Sequence, residues 1–438
     1  MDALSNPADL IFTNADVVTM DDARPKAQAV AIAGGRILGV GSTAEIEALK
    51  SGATRVVDLG GKALLPGFVD GHSHFFQVAL VAGSANVSAP PVGNVSSIAE
   101  IVATLKEYTA THPLQAGQWL IGFGYDGSAL SDGREATHDD LDAAFPDTPV
   151  LLIHVSAHGC LLNSAALKLV GINASTPTSA GGVIARKPGT NDPTGSAYFT
   201  QPYLTDGPNG EKNYCGAPVI AAEEVNEVVA FAYDHGAQVL AHCNGDAAVD
   251  MMLEAHRVAG APAGRRTTII HSQFARRDQL QQYADYGFVT SFFTNHAYFW
   301  GDVHVKNLGQ ERAFFLSPMR TARGLGIPTS NHSDFFVTPL DPLFIAWTAV
   351  NRLSRSGQVS GPDERVTPHD AFKALTIDAA YQYGEQSAKG SIVAGKVADL
   401  VVLDRNPLEV DPLEIKNVRV VRTIKEGQTI YEAAGPAV

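Results

Sequence analysis

Hydrophobic and polar positions follow two different patterns along this chain. The first 65 residues form short β-rich segments, and Gly34-Gly35 supplies a tight turn between the two halves of a hairpin. The segment from about residue 390 onwards has the same character, and the glycine-punctuated stretch KGSIVAGKVADL introduces it. Two β-rich ends around a different middle predict one small composite β-sandwich built from residues 1–65 and 390–438.

The middle of the chain alternates strand patterns with helix patterns. Buried-type strands such as AQVLAHCN and RTTIIHSQ are separated by amphipathic segments such as GDAAVDMMLEAHRVAG. Strands that alternate with helices indicate βαβ units and a parallel sheet. We therefore predict an α/β fold for this part of the chain.

Histidine side chains stand at the predicted carboxyl ends of these strands. The stretch LLPGFVDGHSHFF places His72 and His74 two residues apart, on one face of a strand end. Four later strands finish in the same way, at His242, His271 and His296, and at His332 with Asp334. Because the strand ends of a (β/α)8 barrel converge on one mouth, the whole set predicts a metal site. A lone histidine of this kind more often makes a structural hydrogen bond.

The ligand types narrow the choice of metal. Imidazole and carboxylate groups without thiolate suit zinc, and also iron, manganese or cobalt. Cys243 follows His242, so strand alternation points it away from the metal face, as a small buried hydrophobe. Cys160 and Cys215 complete a set of three cysteines without Cys-x-x-Cys spacing, which indicates neither a disulfide framework nor a structural zinc site.

Composition and charge exclude some classes of partner. Hydrophobic residues make up 45% of the 438 residues and charged residues 18%, as is ordinary for globular proteins. The net charge of −14 argues against nucleic acid or an anionic membrane as a partner. No apolar run approaches the roughly 20 residues of a membrane helix, and no signal peptide is recognisable, so a cytoplasmic location is the default expectation.

Several motifs resemble the metal-dependent amidohydrolase superfamily. They are LPGFVDGHSHF, then His242, then His271, then SNHSD with Asp334, and finally the ending GSIVAGKVADLVVLD. The stretches WLIGFGYD, AGGVIARKPGTNDPTG, HCNGDAAVD and VTPLDPL are most similar to the YtcJ-like branch, amidohydrolase family 3. The resemblance runs from about residue 9 to residue 432. It implies a TIM-type (β/α)8 barrel over residues 66–389, with an insertion at about residues 77–196, beside the composite β-sandwich.

The resemblance also implies an activity, namely hydrolysis of an amide or related C–N bond in a small-molecule substrate. The implied metal ligands are His72, His74, His242, His271 and Asp334. They would hold one or two divalent ions, with zinc as the first expectation. Asp334 would also act as the general base. His158 and His296 are the two candidates for a second donor to the oxyanion.

Other functions on the same scaffold stay open at this point. An ester or lactone hydrolase would use the same site, because one scaffold hosts many reactions, and a barrel with impaired catalysis would keep its shape without turnover. His332 either shares the metal face or only shapes the loop. The remaining histidines are expected at the surface: His112, His138, His235, His256, His304 and His369. A homo-oligomer is neither predicted nor excluded.

The barrel pattern is incomplete in this sequence. The family segment that precedes the second barrel strand and the one that follows the fourth abut at Gly195-Ser196-Ala197, and five barrel strands are recognisable. Five of the eight strands of such a barrel leave an open edge. In many members a carboxylated lysine of the intervening segment bridges two metals, whereas Lys187 matches a loop position. We therefore expect missing residues and a wide gap between Ser196 and Ala197. A continuous chain would instead indicate a truncated barrel with a mononuclear or impaired site.

Overall fold

The computed structural model describes residues 7–178, 182–199, 203–206, 215–260 and 264–434. The strands, in chain order, are β1 (Leu10–Thr13), β2 (Asp16–Val18), β3 (Lys26–Ala27), β4 (Ala29–Ala33), β5 (Arg36–Gly41), β6 (Arg55–Asp58), β7 (Ala63–Pro66), β8 (Ala85–Asn86), β9 (Leu120–Tyr125), β10 (Val150–His154), β11 (Gly159–Leu162), β12 (Gly182–Arg186), β13 (Pro193–Phe199), β14 (Leu240–Cys243), β15 (Thr268–His271), β16 (Val289–Phe292), β17 (Thr329–Asn331), β18 (Leu400–Leu403), β19 (Val420–Lys425) and β20 (Gln428–Glu432). The α-helices are α1 (Thr43–Glu47), α2 (Phe75–Val81), α3 (Ile98–Thr111), α4 (His138–Asp142), α5 (Ser164–Val170), α6 (Ala222–Asp234), α7 (Asp246–Ala259), α8 (Arg277–Tyr286), α9 (Asn295–Phe299), α10 (Gly301–Leu308), α11 (Gln310–Phe314), α12 (Met319–Gly324), α13 (Pro342–Asn351), α14 (Pro368–Lys373) and α15 (Ile377–Gln382). No helix within these ranges has the length and apolar character that crossing a membrane requires.

The two ends of the chain share a sheet. Three C-terminal strands and three N-terminal strands adjoin in the order β20-β19-β18-β7-β2-β3, and β5-β4-β1-β6 form a second sheet. Leu64 of β7 is paired with Val402 of β18, and both are fully buried in one apolar cluster with residues of β4 and β5. The hairpin at Gly34-Gly35 is present, because both glycines adopt the left-handed conformation that its turn requires. The domain limits at residues 65 and 390 stay a prediction.

The middle of the chain forms a parallel sheet in the order β14-β15-β16-β17, with the intervening helices packed on it. Residues 72–74 run parallel to the loop after β17, since Ser73 forms a bridge with Phe335. All five predicted barrel strand ends therefore lie side by side, with residues 72–74, the first in the chain, beside β17, the last. Among the described residues this arc does not close into a barrel.

The outer side of the arc leaves apolar side chains in solvent. Leu240 of β14 is 41% exposed, and Val228 and Phe231 of the preceding helix α6 are 60% and 64% exposed. In a closed barrel a further strand and helix would cover this side. The exposed side chains lie at β14, which is an edge strand among the described residues.

The chain is continuous where we expected a gap. Ser196 and Ala197 are consecutive residues of β13, so the expected separation between them is wrong. The physical reason is local pairing, because Ala197 lies between Cys160 of β11 and Ile184 of β12. The junction is thus an inner strand of the insertion sheet, whose order is β12-β13-β11-β10-β9-β8.

Two other sequence expectations need correction. His296 does not end a strand, because β16 stops at Phe292 and the chain turns into the short helix α9. That turn is fixed by a hydrogen bond from the backbone N–H of Thr294 to the side chain of Asn331. His256 is not at the surface, since it is buried and its Nδ1 lies 2.9 Å from the hydroxyl of Tyr233.

Replacing Leu64 by alanine tests whether the two chain ends depend on each other. Deleting a buried leucine side chain costs about 2–5 kcal/mol, so we expect a clearly lower urea midpoint by circular dichroism. Ile430 of β20 is 65% exposed in the same sheet. Ile430→Ala is the matched control and should change the free energy of unfolding by less than about 0.5 kcal/mol. Equal losses in the two variants would contradict the shared core.

Candidate metal centre

The segments that follow β7 and β17 meet at one point. His72 Nε2 lies 3.4 Å from Asp334 Oδ1, and His74 Nε2 lies 3.0 Å from the same oxygen. The backbone N–H of Asp334 donates to the carbonyl of His72 at 3.2 Å, and the N–H of His74 donates to the carbonyl of Phe335. These two backbone bonds set the register that brings the three side chains together.

His271 at the end of β15 completes the cluster. The ligand atoms of His72, His271 and Asp334 all lie within 4.8 Å of one another. Its ring centroid is 5.8 Å from that of His72 and 4.6 Å from that of His242. The ring of His242 is exposed on the open side of the arc, and Asn244 Nδ2 lies 3.3 Å from its Nε2. His242 therefore flanks the cluster.

Two orphaned atoms test whether a cation fits this place. His72 Nε2 and Asp334 Oδ1 are both buried and have no hydrogen bond of good geometry. A buried polar atom without a partner costs roughly 1–3 kcal/mol. A divalent cation bound by imidazole and carboxylate would satisfy both atoms. The side chains present thus fit a metal ion.

The local electrostatics favour an ionised Asp334 and a neutral His271. Burial alone would raise the pKa of Asp334, but polar contacts with His72 and His74 and nearby imidazoles hold it well below its usual range. Burial lowers the pKa of His271 well below its usual value, so this ring is neutral. Contact with Asp334 raises the pKa of His74. A carboxylate beside neutral imidazole is the ligand state for a divalent ion.

Unusual backbone conformations occur at two of the predicted ligands. His271 has φ +70° and Asp334 has φ +52°, in the left-handed region that residues with side chains rarely adopt. Such conformations persist where surrounding contacts enforce them, and they cluster at functional sites. Asp70 supplies one such contact, because its half-buried carboxylate accepts the N–H of Ser333 at 2.9 Å and also its hydroxyl.

A glycine permits the close approach beneath the site. A Cβ added to Gly71 would lie 2.8 Å from the hydroxyl oxygens of both Ser291 and Ser330. Only a residue without a side chain lets the His72 segment lie against β16 and β17. The Gly71 carbonyl also accepts the hydroxyl of Tyr383 at 2.6 Å.

The other three candidate histidines take different positions. His158 lies in the exposed loop between β10 and β11, with its ring 5.2 Å from that of His242. His296 is buried on α9, 5.7 Å between ring centroids from His271, and its Nδ1 has no hydrogen-bond partner. Burial lowers the pKa of His296 well below its usual value. His332 is fully buried and contacts His271 directly.

A sequence model of the amidohydrolase family matches residues 55–197 and 194–431, most of the chain. The chain belongs to the amidohydrolase family. The two matched parts meet at residues 194–197, where the sequence motifs placed the junction. This amidohydrolase is therefore a hydrolase of C–N bonds other than peptide bonds.

Individual relatives extend over nearly the whole amidohydrolase chain. The N-substituted formamide deformylase of Arthrobacter pascens is 28% identical over 541 residues, which cover 98% of this chain and 99% of that protein. YtcJ of Bacillus subtilis (strain 168) is 24% identical over 530 residues, which cover 95% and 98% of the two chains. Both alignments are longer than the 438 residues here, so each relative has a stretch without a counterpart in this chain.

A solved structure supports the fold. A metal-dependent hydrolase from Pyrococcus horikoshii OT3 superposes with a TM-score of 0.67 at 19% sequence identity. The superposition covers 92% of this chain and 99% of that one. The amidohydrolase thus has the fold of metal-dependent hydrolases.

Several polar residues near the centre escaped the sequence analysis. His304 was expected at the surface, but it is only partly accessible, and its Nε2 lies 2.8 Å from Gln273 Nε2. Its ring centroid is 6.2 Å from that of His296. Trp300 donates its indole N–H to the buried Asp126 at 3.3 Å. Gln273 comes two residues after His271, and this position beyond a strand end was the signal available in the sequence.

A second cluster of potential ligands lies in the insertion. The ligand atoms of His138, Asp139 and Asp142 also lie within 4.8 Å of one another. Internal partners account for them, because His138 Nδ1 is 2.9 Å from Asp142 and Lys187 Nζ is 2.7 Å from Asp139. Ser164 donates its hydroxyl to Asp142 at 2.6 Å. This group therefore needs no cation.

Metal titration can tell the two clusters apart. We expect His72→Ala to weaken zinc binding by more than the roughly 10–100-fold that loss of an outer-shell partner costs, because His72 is a predicted direct ligand. His138→Ala is the matched control and should bind zinc as the wild type does. Binding constants come from competition with a chromophoric chelator. Equal weakening in both variants would contradict the assignment of the centre.

Proposed function

We propose that this amidohydrolase cleaves the C–N bond of an amide or N-acyl small molecule at a divalent metal site, with zinc as the first candidate. The observation that carries the proposal is the convergence of His72, His271 and Asp334, whose ligand atoms lie within 4.8 Å of one another. Imidazole and carboxylate without thiolate suit zinc. Cys243 offers no thiolate, because it is buried away from the cluster and burial raises its pKa to about 12.

The proposed ligand set is His72, His74, His242, His271 and Asp334. When bound, the metal supplies Lewis acidity that activates a water molecule and polarises the scissile carbonyl. His74 contacts Asp334 directly, and His242 reaches the group through its contact with the ring of His271. The buried positions of His271 and Asp334 limit access of bulk water to the reacting atoms.

Asp334 is proposed to move the proton. Its lowered pKa keeps it a carboxylate, so it can accept a proton from the water that attacks the carbonyl carbon. The same oxygen then returns the proton to the nitrogen, which leaves as an amine when the C–N bond breaks. The hydrogen bonds between Asp70 and the adjacent Ser333 keep this carboxylate in place during both transfers.

His296 and His158 are proposed to stabilise the negative charge that develops on the carbonyl oxygen. His296 is neutral and buried, with an unpaired Nδ1 near His271. A preorganised donor of this kind in a site shielded from water is worth several kcal/mol, about 10²–10³ in kcat when it is removed. His158 stands on the exposed loop beside His242, where it can contact a substrate that enters from the open side.

The architecture supports an amidohydrolase barrel as the setting of this chemistry. We propose that the parallel arc β14–β17 and residues 72–74 are part of a TIM-type barrel, with the terminal strands as its composite β-sandwich. The order of the strands and the likeness to the Pyrococcus horikoshii hydrolase support this assignment. The exposed ring of His242 favours a second candidate, a protein that binds the metal but turns over slowly.

A substrate panel separates the candidates. Because an N-substituted formamide deformylase is among the relatives, N-substituted formamides and longer N-acyl amines form one arm, and p-nitrophenyl esters form the other. Release of amine that stops on chelation and returns with zinc would support the proposal. Turnover of esters alone would favour the ester hydrolase. Tight zinc binding without turnover in either arm would favour the impaired barrel.

Replacing Asp334 by asparagine should nearly abolish turnover and leave the fold intact. The amide keeps the volume of the side chain but cannot accept the proton, and such transfers contribute about 10²–10⁴-fold to the rate. The measurement is kcat at saturating zinc, with zinc content determined in parallel. Asp363→Asn is the matched control, because Asp363 is exposed and remote in sequence from the predicted ligands. A wild-type rate in Asp334→Asn would place the base elsewhere.

His158→Ala should act more mildly than Asp334→Asn and mainly on KM. The ring lies in an exposed loop, so its loss removes a contact to substrate without opening a cavity. Steady-state kinetics on the best substrate of the panel measure the effect. Unchanged kcat and KM would mean that His158 only orders its own loop.

A further inference from the structure

A buried series of hydrogen bonds leads from Ser291 through His332 to His271, one of the predicted metal ligands. His332 Nε2 lies 3.2 Å from His271 Nδ1, and His332 Nδ1 lies 2.9 Å from the hydroxyl oxygen of Ser291. Ser291 and His332 are fully buried, and His271 is 2% exposed. Of these three residues, His271 is the one that lies in the group of possible metal ligands with His72 and Asp334.

The position of His332 does not depend on the metal ligand that it contacts. Its ring stacks on Phe293, with 5.3 Å between centroids and 9° between planes. Its backbone N–H donates to the carbonyl of Phe292 at 3.0 Å, within the sheet. The stacking and the backbone hydrogen bond therefore fix the orientation and the position of the ring relative to β16 and β17.

The two contacts allow one arrangement of protons. A ring nitrogen that binds a cation must be unprotonated, and the other nitrogen then carries the hydrogen. Since His271 Nδ1 faces His332, Nε2 is the atom of His271 available to a cation, and Nδ1–H donates to His332 Nε2. His332 must then carry its own hydrogen on Nδ1 and donate it to Ser291, whose hydroxyl can accept.

We propose that His332 and Ser291 are positioning residues that fix the tautomer and orientation of His271 for metal binding. The inference rests on the proposed metal site of this hydrolase. Outer partners of metal-bound histidines raise ligand basicity, and their loss typically weakens metal binding 10–100-fold. His332 therefore acts on the site through His271, without touching the substrate.

Three variants isolate this effect. His332→Phe keeps the ring that stacks on Phe293 but removes both nitrogens. Ser291→Ala removes the acceptor at the far end and adds no volume. Thr290→Val is the matched control, because it deletes a buried hydroxyl one position earlier in β16, where Thr290 donates to Thr329 at 3.3 Å and not to a histidine.

The experiment measures zinc affinity of the full-length, metal-free protein by competition with a chromophoric chelator, without substrate. We expect His332→Phe to weaken binding about 10–100-fold. Ser291→Ala should weaken it by a smaller factor, and Thr290→Val should bind as the wild type does. In the double variant of His332 and Ser291 the second substitution should add nothing, because the chain is already broken.

Melting temperatures distinguish positioning from lost stability. If His332→Phe does not fold, Ser291→Ala alone decides the question. Wild-type zinc affinity in Ser291→Ala and His332→Phe, or purely additive losses in the double variant, would overturn the inference and leave the proposed hydrolase intact. Absence of zinc binding by the wild-type protein would overturn both.

Discussion

The site depends on one long-range contact between two short segments. Asp334 donates its N–H to the carbonyl of His72, and Asp70 binds the backbone and hydroxyl of Ser333. Gly71 makes this contact possible, because any side chain there would collide with β16 and β17. The same contact creates the paired orphan atoms, so a stable backbone interaction holds a locally unfavourable arrangement of side chains. A bound cation would give both atoms a partner and so remove the free-energy cost of leaving them unpaired.

Residue patterns predicted much of this arrangement. The two-residue spacing of His72 and His74 placed them on one face, and helix and strand periodicity located the elements around His271 and Asp334. The positions of His296 and His304 could not be predicted, because each depends on where a strand stops and a helix begins. That boundary is decided by buried hydrogen bonds, such as the one between Thr294 and Asn331, which leave no periodic signal.

The junction near residue 195 was predicted in its place along the chain but not in its pairing. Motif order located the junction at residues 194–197, and the family match divides at the same place. The expected gap was wrong, since the residues on each side pair within one sheet. Sequence patterns report which segments adjoin in the chain, whereas pairing between β11, β12 and β13 is a property of the packed sheet.

The contact between Asp70 and Ser333 joins residues 263 positions apart. Closing so long a loop costs chain entropy that only many cooperating contacts repay. The two halves of the site therefore adjoin only once the tertiary structure between them is in place. An N-terminal fragment would carry only His72 and His74, and a C-terminal fragment only the remaining predicted ligands. Recognition of a cation is thus a property of the assembled chain and of no segment of it.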